Sequence, residues 1–358
     1  ILPVFIKAKN SFVFYAASTV YKPLGMLLLP TEMMRQKNKS LEFVVGESIP
    51  ATNVTGLKIS KEEKLKLVRK HLYRVAKNKK GVFATERNVA HPEERKSLRD
   101  ELAGSELLGK TADDKMIYLY DYAKKSTILK EVGRLREATF RKVGEGTGRQ
   151  RDTDEYDKYY RHIVLWDDKE LEIVGAYRIG QGREIYDIFG KDGFYTNSLF
   201  SFCREFEELL PHSIELGRSF VQSKYWGSRA LDYLWYGIGA YLKKHGFVKY
   251  MFGPVSLSNS YPDEAKKLII YFYSKYFPAP KKFATSKNPF VISKNEEEEF
   301  SSYFSFENYE EDFRKLKNLL KNYGSAVPVL FKQYSELCEK GGVYFSDFGV
   351  APDFGDCV

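Results

Sequence analysis

The sequence predicts an α/β (α+β) chain in two parts, the longer C-terminal part built on a mixed, mostly antiparallel sheet. Three observations carry this. Met116–Tyr120, His162–Trp166, Leu171–Ile179 and Ile214–Val221 are short apolar runs rich in β-branched and aromatic residues, as strands are. Thr127–Val143, Ser228–His245 and Pro262–Tyr276 carry apolar residues three and four apart, as helices do when one face is buried. The 358 residues leave room for two domains of roughly 100–200 residues each.

Taken in order, Ile1–Ile6 reads as a buried strand and Leu41–Gly46 as a second. Ser60 and Glu63 stand in capping-box spacing, opening a helix with Leu65, Val68, Leu72 and Val75 on one stripe. Lys77–Gly81 closes it with cations and a glycine. Residues 82–115 read as a polar linker with a helical turn or two. We therefore expect three parts: 1–55, a helical linker 56–115, and a main domain 116–358. In the main domain the helix 127–143 precedes a charged loop, Gly144–Asp157, and a hairpin turning at Asp167–Asp168. A helix over Phe200–Leu210 leads to the strand 214–221, the helix 228–245 and a strand Val248–Phe252. Glu296–Glu299 reads as a solvated loop or helix start, Phe306–Tyr323 as a helix, and Val327–Tyr334 and Gly342–Phe348 as closing strands. A chain that begins on a strand without Met and stops at Phe354–Val358 reads as the ordered part of a longer protein.

Composition narrows the chemistry. Hydrophobic residues make up 43% and aromatics 15%, enough for packed cores and too much for a disordered chain. A net charge of +9 favours an acidic partner. No zinc-finger or RNP-type motif groups the lysines and aromatics, which argues against nucleic acid. Cys203, Cys338 and Cys357 form no CxxC pair, and an odd, sparse set fits a reducing, cytoplasmic setting. No HExxH, GxSxG, Walker A or dinucleotide glycine motif is present. Asp152, Asp154 and Asp157 resemble a calcium loop in spacing only, lacking its glycine and distal glutamate, so no metal is expected.

What stands out is charge threaded through strand-like runs between Arg134 and Arg218. Burying charge is costly unless it is paired, so Arg136, Asp154, Asp157, His162, Arg178, Glu215 and Arg218 mark a polar site built on a sheet. Strict alternation puts Glu215, Gly217 and Ser219 on one face and Leu216, Arg218 and Phe220 on the other. The loop Gln222–Gly227 then delivers the chain to a helix N-terminus at Ser228, a place that suits a phosphate.

In these pieces, and in Gly175-Ala176-Tyr177-Arg178, Phe252–Asn259 and Val327–Tyr334, residues 116–358 resemble the hemolysin-like GNAT-fold N-acyltransferases. Those enzymes open ornithine-lipid and glycine-lipid synthesis. Acyl-homoserine-lactone synthases are a more distant likeness. Leu27–Glu32 and the strand ending Val45-Gly46 resemble the tail of a glycerolipid-type acyltransferase domain, whose catalytic His-x4-Asp would lie upstream of Ile1.

The resemblance implies a GNAT-like fold with no bound cofactor. It implies transfer of a (3-hydroxy)fatty acyl group from acyl carrier protein, or from acyl-CoA, to an amino acid of the ornithine or glycine class. Glu215, Arg218 and Arg178 are then catalytic. Arg136, Asp154, Asp157 and His162 bind the acceptor, and Ser219, Val221, Gly227, Ser228 and Asn259 line the acyl donor. One departure favours the carrier protein: Tyr225–Ala230 has a single glycine where free-coenzyme enzymes carry Arg/Gln-x-x-Gly-x-Gly/Ala. An anionic membrane surface is a further expected partner, met by Lys77, Lys79, Lys80, Arg95, Lys96, Lys281 and Lys282, and placing the chain at the inner face of the membrane. Two competing readings remain: a non-catalytic membrane or carrier-docking module, and an enzyme with another acceptor such as S-adenosylmethionine or a sugar amine.

Overall fold

The computed structural model describes residues 1–339, 341–351 and 357–358. The chain divides into two compact units, Ile1–Asn88 and Val89–Val358.

In the first unit, β1 (Val4–Ile6) pairs antiparallel with β2 (Phe43–Val45). Between them run α1 (Phe12–Val20) and α2 (Lys22–Arg35). A short α3 (Thr52–Thr55) precedes α4 (Lys61–Val75), whose N-terminus carries the expected Ser60–Glu63 capping box. The strand at the start of the chain is not buried as expected: Val4 is 41% and Ile6 49% exposed, because a two-stranded ribbon covers one side only.

The second unit is built on a six-stranded sheet ordered β3-β4-β5-β6-β8-β9. Residues 95–110, expected as linker, supply α5 (Arg95–Leu102) and the edge strand β3 (Glu106–Lys110). β4 (Met116–Tyr120), α6 (Thr127–Lys142), β5 (Arg161–Asp167) and β6 (Glu172–Gln181) follow as the sequence predicts. Next come α7 (Gly182–Phe189), α8 (Tyr195–Leu199), β7 (Phe200–Phe202) and α9 (Arg204–Glu207). The single helix expected over 200–210 is broken because Phe200–Phe202 pairs with the distant Ala284–Ser286. β8 (Ser213–Val221) is antiparallel to β6, and after α10 (Ala230–Lys244) the strand β9 (Tyr250–Phe252) lies parallel to β8.

Helices pack both faces of the sheet. Ile163, Leu165, Tyr177, Ile179 and Leu216 meet Leu234, Ile238 and Tyr241 of α10. Val164, Trp166, Ala176 and Phe220 on the other face meet Val132, Leu135 and Phe140 of α6 and Leu98 and Leu102 of α5. A separate aromatic core joins α11 (Asp263–Tyr276) to α12 (Lys294–Ser301), α13 (Tyr309–Asn322) and α14 (Val329–Leu337), with β10 (Ala284–Ser286) between α11 and α12. Two expectations fail here. The segment 327–334 is not a strand but enters α14, with Pro328 at the N-cap and Phe331 turned into the aromatic core. Residues 342–348 form no strand, only a single bridge from Phe345 to Pro278. Most of Phe354–Val358 lies outside the described residues.

Candidate active site

The site begins with a register change. β6 and β8 pair as Ala176 to Phe220 and then Arg178 to Gly217, so Arg218 and Ser219 together oppose Tyr177. This is a β-bulge, and Arg218 takes the left-handed conformation at φ 50°. A non-glycine residue there is strained, which marks a position held by its surroundings. The bulge overturns the expected alternation. Arg218 does not share the face of Leu216. It points with Glu215 and Phe220 to the α6 side, where it meets the acidic loop, and Ser219 turns to Tyr177 on the α10 side.

Opposite the bulge, the acidic loop is laid against α6. Gly133 makes this possible: a Cβ there would stand 2.4 Å from the Thr153 methyl, and Asp152 N–H donates to the Gly133 carbonyl at 2.8 Å. Glu137, wholly buried, ties the preceding turn down by accepting from Thr147 N–H, Thr147 Oγ1 and Gly148 N–H. Asp154 and Asp157 then brace each other through their backbone N–H groups.

Three arginines meet this loop. Arg136 reaches Asp157 Oδ1 at 2.9 Å. Arg178 reaches Asp154 Oδ1 at 2.6 Å and Asp157 Oδ1 at 3.2 Å. Arg218 reaches Asp152 at 3.3 Å and Asp154 at 3.4 Å. Arg178 also lies among the rings of Tyr160, Tyr195 and Tyr156, at 5.1, 5.4 and 5.7 Å. The loop aspartates are thus engaged by guanidinium groups, which pair with carboxylates by geometry as well as charge.

Burial would raise the Asp157 carboxyl, but Arg136, the His162 N–H and Arg178 outweigh it and hold it far below the usual carboxylate range. Asp152 goes the other way, raised because burial exceeds the pull of Arg218 and Arg136. His162 is lowered, chiefly by burial, so it is neutral at pH 7 and its Nε2 sits 3.1 Å from Asp157 Oδ1. It stands behind Asp157, away from solvent.

Glu215 lies at the edge of this network. Its oxygens accept from Thr196 N–H at 2.6 Å, Thr196 Oγ1 at 2.5 Å, Tyr195 N–H at 3.1 Å and the Tyr160 hydroxyl. A carboxylate has about four such acceptor positions, so its capacity is filled. Burial raises its pKa against the Thr196 and Tyr160 hydrogen bonds and the charge of Arg178.

The residues expected to line the acyl donor are more scattered. Ser219 belongs to the bulge and Val221 ends β8. Gly227, at φ 79°, and Ser228 make the turn before α10, and Ser228 Oγ accepts from Ala230 N–H at 3.2 Å. Asn259 instead receives the buried Lys266 ammonium at 2.5 Å. Of the expected membrane-facing cations, Arg95 is engaged by Glu170 and Glu172, Lys281 by Glu205 and Lys282 by Asp347. Tyr160, Tyr195 and Thr196 were not foreseen. Only Tyr160 carried a signal, its place beside Arg161-His162.

Comparison with known proteins fits this geometry. The family model described as "Acetyltransferase (GNAT) domain" matches residues 135–236, which run from α6 through the bulge into α10. A glycine N(alpha)-acyltransferase of Phocaeicola vulgatus is 35% identical over 251 residues, covering 67% of this chain and 76% of the relative. One from Bacteroides thetaiotaomicron is 33% identical over 262 residues, covering 70% and 77%. An L-ornithine N(alpha)-acyltransferase of Rhizobium meliloti is 36% identical over 129 residues, covering 34% and 41%. No solved structure matches the chain. The chain belongs to the GNAT N-acyltransferase family that includes these glycine and ornithine enzymes.

Proposed function

We propose that the chain moves a (3-hydroxy)fatty acyl group from acyl carrier protein to the α-amine of glycine or a related amino acid, as a step in aminolipid synthesis. The observation that carries this reading is the arginine trio on the acidic loop. Arg136 Nε and Nη2 and Arg178 Nε are buried without a hydrogen-bond partner among the described residues. N–H donors left over on buried guanidinium groups suit a carboxylate, the one group that glycine and ornithine share beside the α-amine. The +9 net charge and the single glycine before α10 favour an acidic carrier over the free coenzyme.

In this mechanism the neutral amine attacks the thioester carbonyl. The C–N bond forms, the C–S bond breaks, and backbone N–H groups at Arg218–Phe220 hold the oxyanion. Tyr160 accepts the amine's proton as it passes its own to Glu215, and that proton returns to the departing thiolate. Burial supports Glu215 in this role, since a raised pKa makes it the better proton acceptor. Arg178 and Arg218 hold the acceptor and the bulge, while Asp154 and Asp157 fix the arginines and His162 fixes Asp157. Residues 1–55 are read as the C-terminal part of a glycerolipid-type acyltransferase domain.

Purified chain is incubated with 3-hydroxyacyl carrier protein or 3-hydroxyacyl-coenzyme A and with glycine, ornithine or lysine, and products are read by mass spectrometry. N-acylglycine formed from the carrier protein is expected. Equal rates from the free coenzyme would overturn the donor assignment, and no N-acyl amino acid from either donor would overturn the activity.

A further inference from the structure

The first unit carries an inverted helical hairpin. In α1 no residue is buried, and in α2 only Gly25 and Glu32 are. The polar and small groups are turned inward. Glu32 accepts from Ser11 N–H and Ser11 Oγ, both at 2.6 Å, and Arg35 reaches it at 3.2 Å. Gly25 lies against Ser18, close enough that a Cβ would stand 2.0 Å from its hydroxyl.

The apolar side chains are left outside. From Phe12 to Met34, eleven of 23 residues are large, apolar and exposed. Met26, Leu27, Met33 and Met34 repeat at i, i+1, i+7 and i+8, so they form one stripe along α2, each 68–76% exposed. Phe12 and Val20 on α1 are 85% and 84% exposed. An apolar face of this extent marks an interaction site on a soluble unit.

Its charge surroundings say what kind. Lys9, Lys22, Arg35, Lys37 and Lys39 are all exposed around the hairpin, and the one acid between residues 7 and 39 is the buried Glu32. A purely cationic rim around an apolar stripe is complementary to anionic lipid headgroups above acyl chains. At 14 residues, α2 is about 21 Å long, short of the ~30 Å hydrocarbon core. No described helix is long and apolar enough to cross a membrane. The hairpin therefore fits the interface plane, with its lysines reaching back to the headgroups.

We propose that the α1–α2 hairpin docks the chain on an anionic bilayer, seating the Met26–Met34 stripe and Phe12 among the upper acyl carbons. Such binding is independent of the acceptor and donor assigned above.

The test uses the full 358-residue chain and vesicles of equal phosphatidylglycerol and phosphatidylcholine. Wild-type protein is expected to cosediment, and Leu27→Asp with Met33→Asp to lower the partition coefficient at least tenfold. Both positions are exposed, and circular dichroism checks that folding is kept. As an independent readout, Met26→Trp adds a fluorophore whose emission should shift blue and be quenched by brominated lipid. Wild type left in the supernatant would overturn the proposal, as would equal binding by the acidic variant or an unquenched Trp at position 26. A dimer dispersed by the same acidic pair, with no vesicle binding, would overturn it in favour of self-association.

Discussion

At the residue scale, Glu215 separates holding from proton transfer. Three of its four hydrogen bonds tie β8 to the start of α8 and the fourth comes from Tyr160, and Gln keeps the shape and one acceptor oxygen while losing the basicity. Glu215→Gln should lower kcat at least ~100-fold while the protein stays folded. Tyr160→Phe should lower it comparably if the proposed relay passes through that hydroxyl. A Glu215→Gln enzyme with near-normal turnover and a depressed Tm would leave Glu215 as an anchor only. His162 makes a different prediction, one about stability. Its pKa is lowered in the folded state, so the unfolded chain binds the proton more readily. Stability is then fully present above the unfolded value near 6.5 and is lost as pH falls below it. Asp157 has the same sign, but its window lies below the ordinary Asp value. Asp152 and Glu215 have the opposite sign: raised pKa values give stability that is present at low pH and lost as pH rises through them. Urea unfolding at pH 7, 6 and 5 should show wild type losing stability towards acid, and His162→Asn should flatten that slope by up to ~1.4 kcal/mol per pH unit. An unchanged slope would assign it elsewhere, for example to His71 in the first unit, which burial also lowers.

At the element scale, the bulge in β8 decides which charges meet. From the sequence, the arginines, the acidic loop and the Glu-Leu-Gly-Arg strand were legible as one cluster, because charge inside apolar runs is rare enough to stand out. The face of Arg218 was not legible. Period-two alternation holds only while the ladder is regular, and nothing in Gly217-Arg218-Ser219 announces a left-handed arginine. The helix breaks at 200–203 and the helical 329–337 were missed for a related reason: pairing with 284–286 and packing of Phe331 are set by residues far along the chain. The bulge should be sensitive to the opposing strand. A Cβ on Gly175 would lie 2.5 Å from the Phe220 carbonyl, a backbone atom that cannot swing away. Gly175→Ala should therefore cost about 2 kcal/mol in denaturant unfolding and lower kcat more than KM, by displacing the backbone proposed to hold the oxyanion. A variant as stable and active as the parent would show that the bulge tolerates movement and is not a fixed element.

At the scale of the whole molecule, the proposed acyl transfer and the proposed docking fall in different units. Every residue of the arginine–aspartate network, the bulge and the Glu215 anchor lies between Arg136 and Ser219, inside the unit 89–358. That unit has cores on both faces of its sheet and a third among its C-terminal helices. A unit of this length buries a large share of its surface on folding and can stand alone. The helix and edge strand at 95–110 belong to it, which is why a cut at the expected boundary of 116 would strip β3 from β4 and expose a long edge. A protein comprising residues 89–358 should unfold in one cooperative transition and keep kcat for a soluble amino acid within about threefold of the full chain, since a factor of three is under 1 kcal/mol in the barrier. The same fragment should lose vesicle binding, because the exposed stripe of α2 is gone. A version starting at 116 should be markedly less stable and prone to associate through β4. If 89–358 fails to fold while the full chain does, the first unit contributes to stability as well as docking. If it folds but loses activity, a residue before Val89 serves the reaction.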